Sequence, residues 1–143
     1  MQFYAAEIVL ALDYLHEQGI MYRNLKTNNI LLDSEGHVRL TNFQVSKAKL
    51  NATNGRTKTM IKDIQLKDST PKSNKIRITM PPEMSMKNDE TYGYAVDWYS
   101  LGMVIYHMLT GGEHPFREFN QLEESQEIRI KDYFSDDATD LIY

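Results

Sequence analysis

The chain has 143 residues, 41% apolar and 25% charged, with a formal net charge of −4 and no cysteine. That length and balance suit one globular domain with a hydrophobic core, and the missing cysteines exclude disulfides and thiolate metal sites. With no basic stripe and no apolar run of membrane-spanning length, neither nucleic acid nor a membrane is expected as a partner, and no transmembrane segment is expected. Residues 1–11 lack the basic start and long apolar core of a secretory signal, so a cytoplasmic location fits. The four histidines, His16, His37, His107 and His114, include no i, i+4 pair. They read as surface or hydrogen-bonded polar residues, and no metal site is expected.

In chain order, residues 2–18 predict a helix. Tyr4, Ile8, Ala11 and Leu15 make one stripe, widened by Val9 and Leu12, and Gly19 suits the position just past its end. A short hairpin follows: "NILL" (29–32), the turn "DSEG" (33–36) and "HVRL" (37–40), with Gly36 supplying a positive φ. Residues 45–79 are polar and rich in Lys, Asn and Thr, without a sustained period. They predict a long, partly mobile surface loop that "PP" at 81–82 closes. Ala95 to Thr110 predicts a helix at the centre of the domain, because Val96, Leu101, Met103, Val104, Ile105, Met108 and Leu109 surround it. Gly111-Gly112 ends it. "FNQLEESQEIRIKDYF" (119–134) predicts a more exposed helix. Ser135-Asp136-Asp137 reads as an N-cap for a last helix beginning near Ala138. The chain therefore reads as mainly α, of the α+β kind: helices around one short β-hairpin, with one long loop.

Four motifs in order carry a resemblance. "YRNLKTNN" (22–29) resembles the catalytic loop of protein kinases, H/Y-R-D-L-K-x-x-N. "TNFQ" (41–44) stands where D-F-G is expected, "PPE" (81–83) where A-P-E is, and "AVDWYSLG" (95–102) resembles the start of the central helix of the large lobe. "FYAAEI", Tyr22 in place of His, and "VDWYSLG" are the wording of the AGC group of serine/threonine kinases. "GHVRL" and "HPFRE" resemble the G-protein-coupled receptor kinases, with the ribosomal S6 kinases and protein kinase C nearly as similar. The resemblance implies a single partial kinase domain over 1–143, the large C-terminal lobe only, truncated at both ends, with the small lobe absent and 45–79 as its activation-segment-like loop.

What the resemblance implies for the site is a degenerate version of it. Asn24 stands where the family has the Asp that accepts the substrate hydroxyl's proton. An amide is no base near neutral pH, and general-base catalysis contributes about 10²–10⁴-fold. Asn42 replaces the Asp that ligates the Mg²⁺ bridging the phosphates, and magnesium prefers anionic oxygen. Gln44 replaces the Gly of the same motif, which should restrict movement of Phe43. Lys26 corresponds to the lysine that contacts the transferred phosphate, Asn29 to the second Mg²⁺ ligand, and Arg23 to the arginine that meets a phosphorylated activation loop. For these three a structural hydrogen-bonding role is expected. Leu31 matches a residue that supports the adenine ring, but plain hairpin core is the favoured reading. Tyr22 and Phe43 match stacked aromatics and should both be core. Asp97 should accept N–H groups from the catalytic loop. Glu83 pairs in the family with an arginine that this sequence does not contain, and should be solvated or find another partner. Thr70 and Ser73 are candidate phosphorylation sites.

The expected function is that of a pseudokinase: no phosphotransfer, no cofactor, and work done by binding a protein, either an active kinase or its substrate. The alternative is an ATP-dependent serine/threonine kinase of the AGC group, with weak or unconventional activity and Mg-ATP as cofactor.

Overall fold

A computed structural model describes residues 1–48, 81–85, 92–116 and 128–142. Most of the loop expected over 45–79, with Thr70 and Ser73, lies outside these residues. So does the first part of the helix expected over 119–134.

The first helix, α1, spans Gln2–Glu17. Its buried stripe is Ala5, Ile8, Leu12 and Leu15, with Ile8 and Leu12 fully buried. Val9, expected on that stripe, is exposed, because the core meets the helix along a narrower arc. Gly19, at φ 70°, closes α1 in a Schellman arrangement. Its N–H donates to the His16 carbonyl (2.9 Å), and the Ile20 N–H donates to that of Leu15 (2.8 Å).

Two strands make the hairpin, β1 (Ile30–Leu32) and β2 (Val38–Leu40), antiparallel with Leu31 opposite Arg39. Asn29 stands just before β1, in a 3₁₀ turn over Thr27–Asn29. The Asp33 carboxylate organises the turn, accepting the N–H groups of Glu35 (3.0 Å) and His37 (2.9 Å) and the Nε–H of Arg39 (2.9 Å). Gly36 supplies its positive φ, 86°. From α1, the Glu7 carboxylate reaches across to the Val38 N–H (2.7 Å) and to Nδ1 of His37 (2.6 Å), which ties the hairpin to the helix.

Side chains alternate along a strand, so Ile30, Val38 and Leu40 face the core while Leu31 cannot. Leu31 is 53% exposed. The expectation that it is hairpin core is corrected on that ground.

A four-residue helix, α2 (Pro82–Ser85), precedes the central helix α3 (Ala95–Thr110). As its composition predicts, α3 is buried on most sides: Val96, Asp97, Ser100, Leu101, Met103, Val104, Ile105 and Tyr106 are all buried. Gly111 ends it at φ 69°, the left-handed conformation in which glycine carries no Cβ penalty. The main cluster joins Ile8, Leu12, Tyr22, Leu25, Leu101, Val104 and Ile105, and a second joins Met21, Met84, Tyr92 and Val96. The neighbours Met21 and Tyr22 thus enter different clusters, and the segment between α1 and β1 is anchored in both.

Residues 128–134 are not helical, contrary to the sequence pattern. Long-range bonds hold them along the loop that follows α3. The Arg129 N–H donates to the Pro115 carbonyl (3.0 Å), its guanidinium donates to the carbonyls of His114 and Phe116, and its own carbonyl accepts from the Tyr106 hydroxyl (2.8 Å). Lys131 pairs with Glu113 at 2.6 Å. The last helix, α4 (Asp136–Ile142), starts two residues before Ala138. Ser135 caps it, its hydroxyl accepting the Ala138 N–H at 3.2 Å.

Candidate functional site

Asp97 is the fixed point of the site. It lies in the first turn of α3 and is fully buried. One oxygen, Oδ1, accepts the Arg23 N–H (2.6 Å), while Oδ2 accepts the Tyr22 N–H (2.8 Å) and lies 2.8 Å from Nε2 of His16. A buried carboxylate is tolerated when its oxygens are satisfied in this way. The His16 ring also stacks against Tyr94 (4.4 Å between centroids) and meets the edge of Trp98 (5.3 Å). His16, read from sequence only as a polar residue, thus joins the end of α1 to the anchor. Its place three residues before the closing glycine was the signal available.

With its backbone gripped by Asp97, Arg23 sits at φ 60°, in the left-handed region. Its Nε–H donates to the Val45 carbonyl (2.7 Å) and its Nη1 to the Tyr92 hydroxyl (3.1 Å). Tyr22 is fully buried, and its hydroxyl donates to the Thr41 carbonyl. Burial, and then the charge of Asp97, push this phenol from 10.0 up to about 12. The Ser46 hydroxyl donates to the Tyr22 carbonyl (3.0 Å), and Met21 and Lys47 exchange backbone hydrogen bonds of 2.9 and 2.8 Å. These contacts lay residues 41–47 against 21–25.

Three asparagines meet where the two segments cross. The Asn24 side-chain amide donates to the Asn42 carbonyl (2.8 Å), and the Asn29 side-chain amide donates to the Asn24 carbonyl (2.7 Å). The Asn42 amide donates to Oδ1 of Asn29 at 3.4 Å. Asn29 is buried, and its carbonyl accepts both the N–H (3.0 Å) and the hydroxyl (3.2 Å) of Thr41. Asn42 takes φ 59°, which asparagine tolerates better than most residues. Gln44 is not in the positive-φ region; the special backbone falls two residues earlier, on Asn42.

Phe43 begins a 3₁₀ turn, Phe43–Val45, and meets the Tyr22 ring edge-on at 5.1 Å. It is 46% exposed, which corrects the expectation that it is core. The left-handed turn at Asn42 swings it outward, so that one side rests on Tyr22 and the other is uncovered. Lys26 is half-buried and precedes the Thr27–Asn29 turn, its carbonyl accepting the Asn29 N–H at 2.9 Å. Glu83, on α2, is half-buried with no ion pair among the described residues; it adds to the upward push that burial gives the Tyr99 phenol. The fold therefore brings Tyr22, Arg23, Asn24, Asn29, Asn42, Phe43 and Asp97 together. Leu31 stands apart on the hairpin, and Glu83 stands apart on α2. Among the described residues no cluster of acidic and histidine side chains is arranged to hold a metal.

The family model for the protein kinase domain matches residues 1–142. The chain belongs to the protein kinase family. Ribosomal protein S6 kinase beta of Caenorhabditis elegans is 39% identical over 146 residues, covering 99% of the chain and 24% of that protein. Protein kinase 2 of Dictyostelium discoideum is 43% identical over 147 residues, covering 99% of the chain and 27% of the relative. Atypical protein kinase C of Drosophila melanogaster is 38% identical over 132 residues, covering 92% and 19%. The S6 kinases and protein kinase C are of the AGC group, in agreement with the motif wording. This kinase-domain chain thus spans about a quarter, or less, of the length of these relatives.

Proposed function

We propose that this kinase-domain chain does not transfer phosphate and acts by binding another protein in kinase signalling, as a scaffold, decoy or allosteric regulator of an active kinase or of its substrate. The observation that carries this reading is the paired replacement of aspartate by Asn24 and Asn42, in a fold that keeps the loop around them. Phosphoryl transfer depends on positioning and on charge: a base or orienting carboxylate for the nucleophile, and anionic ligands for the metal that neutralises the phosphates. Asn24 supplies no such base. Asn42 offers an amide in place of anionic oxygen, and it donates to Oδ1 of Asn29, the oxygen that the motif's own asparagine would offer a metal. This donor set does not fit Mg²⁺. Asp97, Tyr22 and Arg23 support the loop whether or not it is catalytic, which is why a silent site can keep its shape.

The rival reading, a weak AGC-group serine/threonine kinase using Mg-ATP, is favoured by the retention of Lys26 and Asn29 and by relatives that are themselves named kinases. Transfer of labelled γ-phosphate from ATP to a basic serine peptide, with Mg²⁺ or Mn²⁺, separates the two. The proposal expects no transfer above a metal-free control. Metal-dependent transfer that is lost on Lys26→Ala would overturn it and establish the rival.

A further inference from the structure

The three asparagines close a cycle. Asn24 donates to the backbone of 42, the side chain of 42 donates to the side chain of 29, and the side chain of 29 donates to the backbone of 24. Each amide uses its N–H₂ within the cycle, and each of the two segments contributes both donors and acceptors. An ionised carboxylate cannot take any of these places, because it only accepts. At position 24 it would set negative oxygen against the Asn42 carbonyl, 2.8 Å from the present donor. At position 42 it would face Oδ1 of Asn29. Turning the Asn29 amide would satisfy that carboxylate, but would withdraw the donor that the Asn24 carbonyl now accepts at 2.7 Å. Asn29 is only 4% exposed, so water does not readily replace what its own amide loses, whereas Asn42 and the bond it accepts from Asn24 lie at the surface.

We propose that Asn24, Asn29 and Asn42 form a closed amide ring that locks residues 22–29 to the turn after β2 without any cation. The amides at 24 and 42 are fitted to each other and to Asn29. They are not two separate losses of charge. An aspartate returned at either position alone weakens the fold, and the segment keeps its shape with no metal present.

Thermal unfolding of the full 143-residue chain tests this, in EDTA and in Mg²⁺. The wild-type midpoint is expected to be the same in both. Asn24→Asp at pH 7 in EDTA should lower it by roughly 1–3 °C, the scale of one hydrogen bond lost and a repulsion added at a solvent-exposed contact in a domain of this size. That deficit should shrink as the pH falls toward about 4, where a protonated carboxyl regains an O–H to donate to the Asn42 carbonyl. Asn24→Ala loses the bond without adding charge, so its deficit should be smaller and independent of pH. Asn42→Gly removes the ring donor but keeps the left-handed backbone. Combined with Asn24→Ala, it should cost less than the sum of the two single changes, because the ring is already open. If Asn24→Asp fails to fold, this neutral cycle decides the matter. An Asn24→Asp chain as stable as wild type, a deficit that ignores pH, strict additivity in the neutral cycle, or a wild type stabilised by Mg²⁺ would each overturn the lock. The readout is unfolding, so a wild type found to transfer phosphate would sink the preceding proposal and leave this one standing.

Discussion

Asp97 is fully buried and takes the N–H groups of Tyr22 and Arg23 together with His16, so losing one of its oxygens strands a buried donor. Asp97→Asn should therefore destabilise the chain by about 3 kcal/mol, as expected for breaking a charge-assisted buried network, and equilibrium urea unfolding would read it. A change below about 0.5 kcal/mol would mean that the anchor is dispensable. Tyr22 gives a second expectation at this scale. Its folded pKa is raised, so the stability it contributes is present below about 10 and is lost as the pH rises toward about 12. Tyr22→Phe should remove that part of the alkaline loss, and an ultraviolet phenolate titration of the wild type should show one tyrosine ionising near 12. At this same scale the sequence was legible in types and misleading in exposure. It marked Asn24, Asn42 and Asp97, but placed Phe43 and Leu31 in the core. Hydrophobicity alone does not say on which side of a left-handed turn, or of a strand, a side chain falls.

At the scale of elements, periodicity and glycines sufficed where structure is local. Gly19 and Gly111 end α1 and α3 where expected, and Gly36 turns the hairpin. Residues 128–134 failed as a helix because Pro115, Glu113 and Tyr106, distant in sequence, take up their hydrogen-bonding groups. The buried stripe of α1 makes a direct comparison possible. Leu12→Ala should cost about 2–5 kcal/mol, whereas Leu10→Ala, at a position 68% exposed, should stay within about 0.5 kcal/mol. The clamp between α1 and the hairpin predicts an acid limb. The bond from the Val38 N–H, and then that from His37, hold the Glu7 carboxyl below its ordinary 4.5. A lowered folded pKa stabilises above the unfolded value and is lost as the pH falls through the folded one. Glu7→Gln should flatten the decline in melting temperature below about pH 4.5, and an unchanged acid limb would show that the clamp contributes nothing.

For the whole molecule, two apolar clusters share the segment from Met21 to Leu25, and Asp97 fastens that segment to the central helix. On the proposed function, these supports keep the loop in shape whether or not it carries out chemistry. Among the described residues, no helix is long and apolar enough to cross a membrane. The central claim is that amides at 24 and 42 leave this site unable to use a magnesium-bound nucleotide, and calorimetric titration of the chain with ATP, in Mg²⁺ and in EDTA, tests it most directly. The account predicts no heat that depends on Mg²⁺. Saturable binding that requires Mg²⁺ and disappears in EDTA would contradict it.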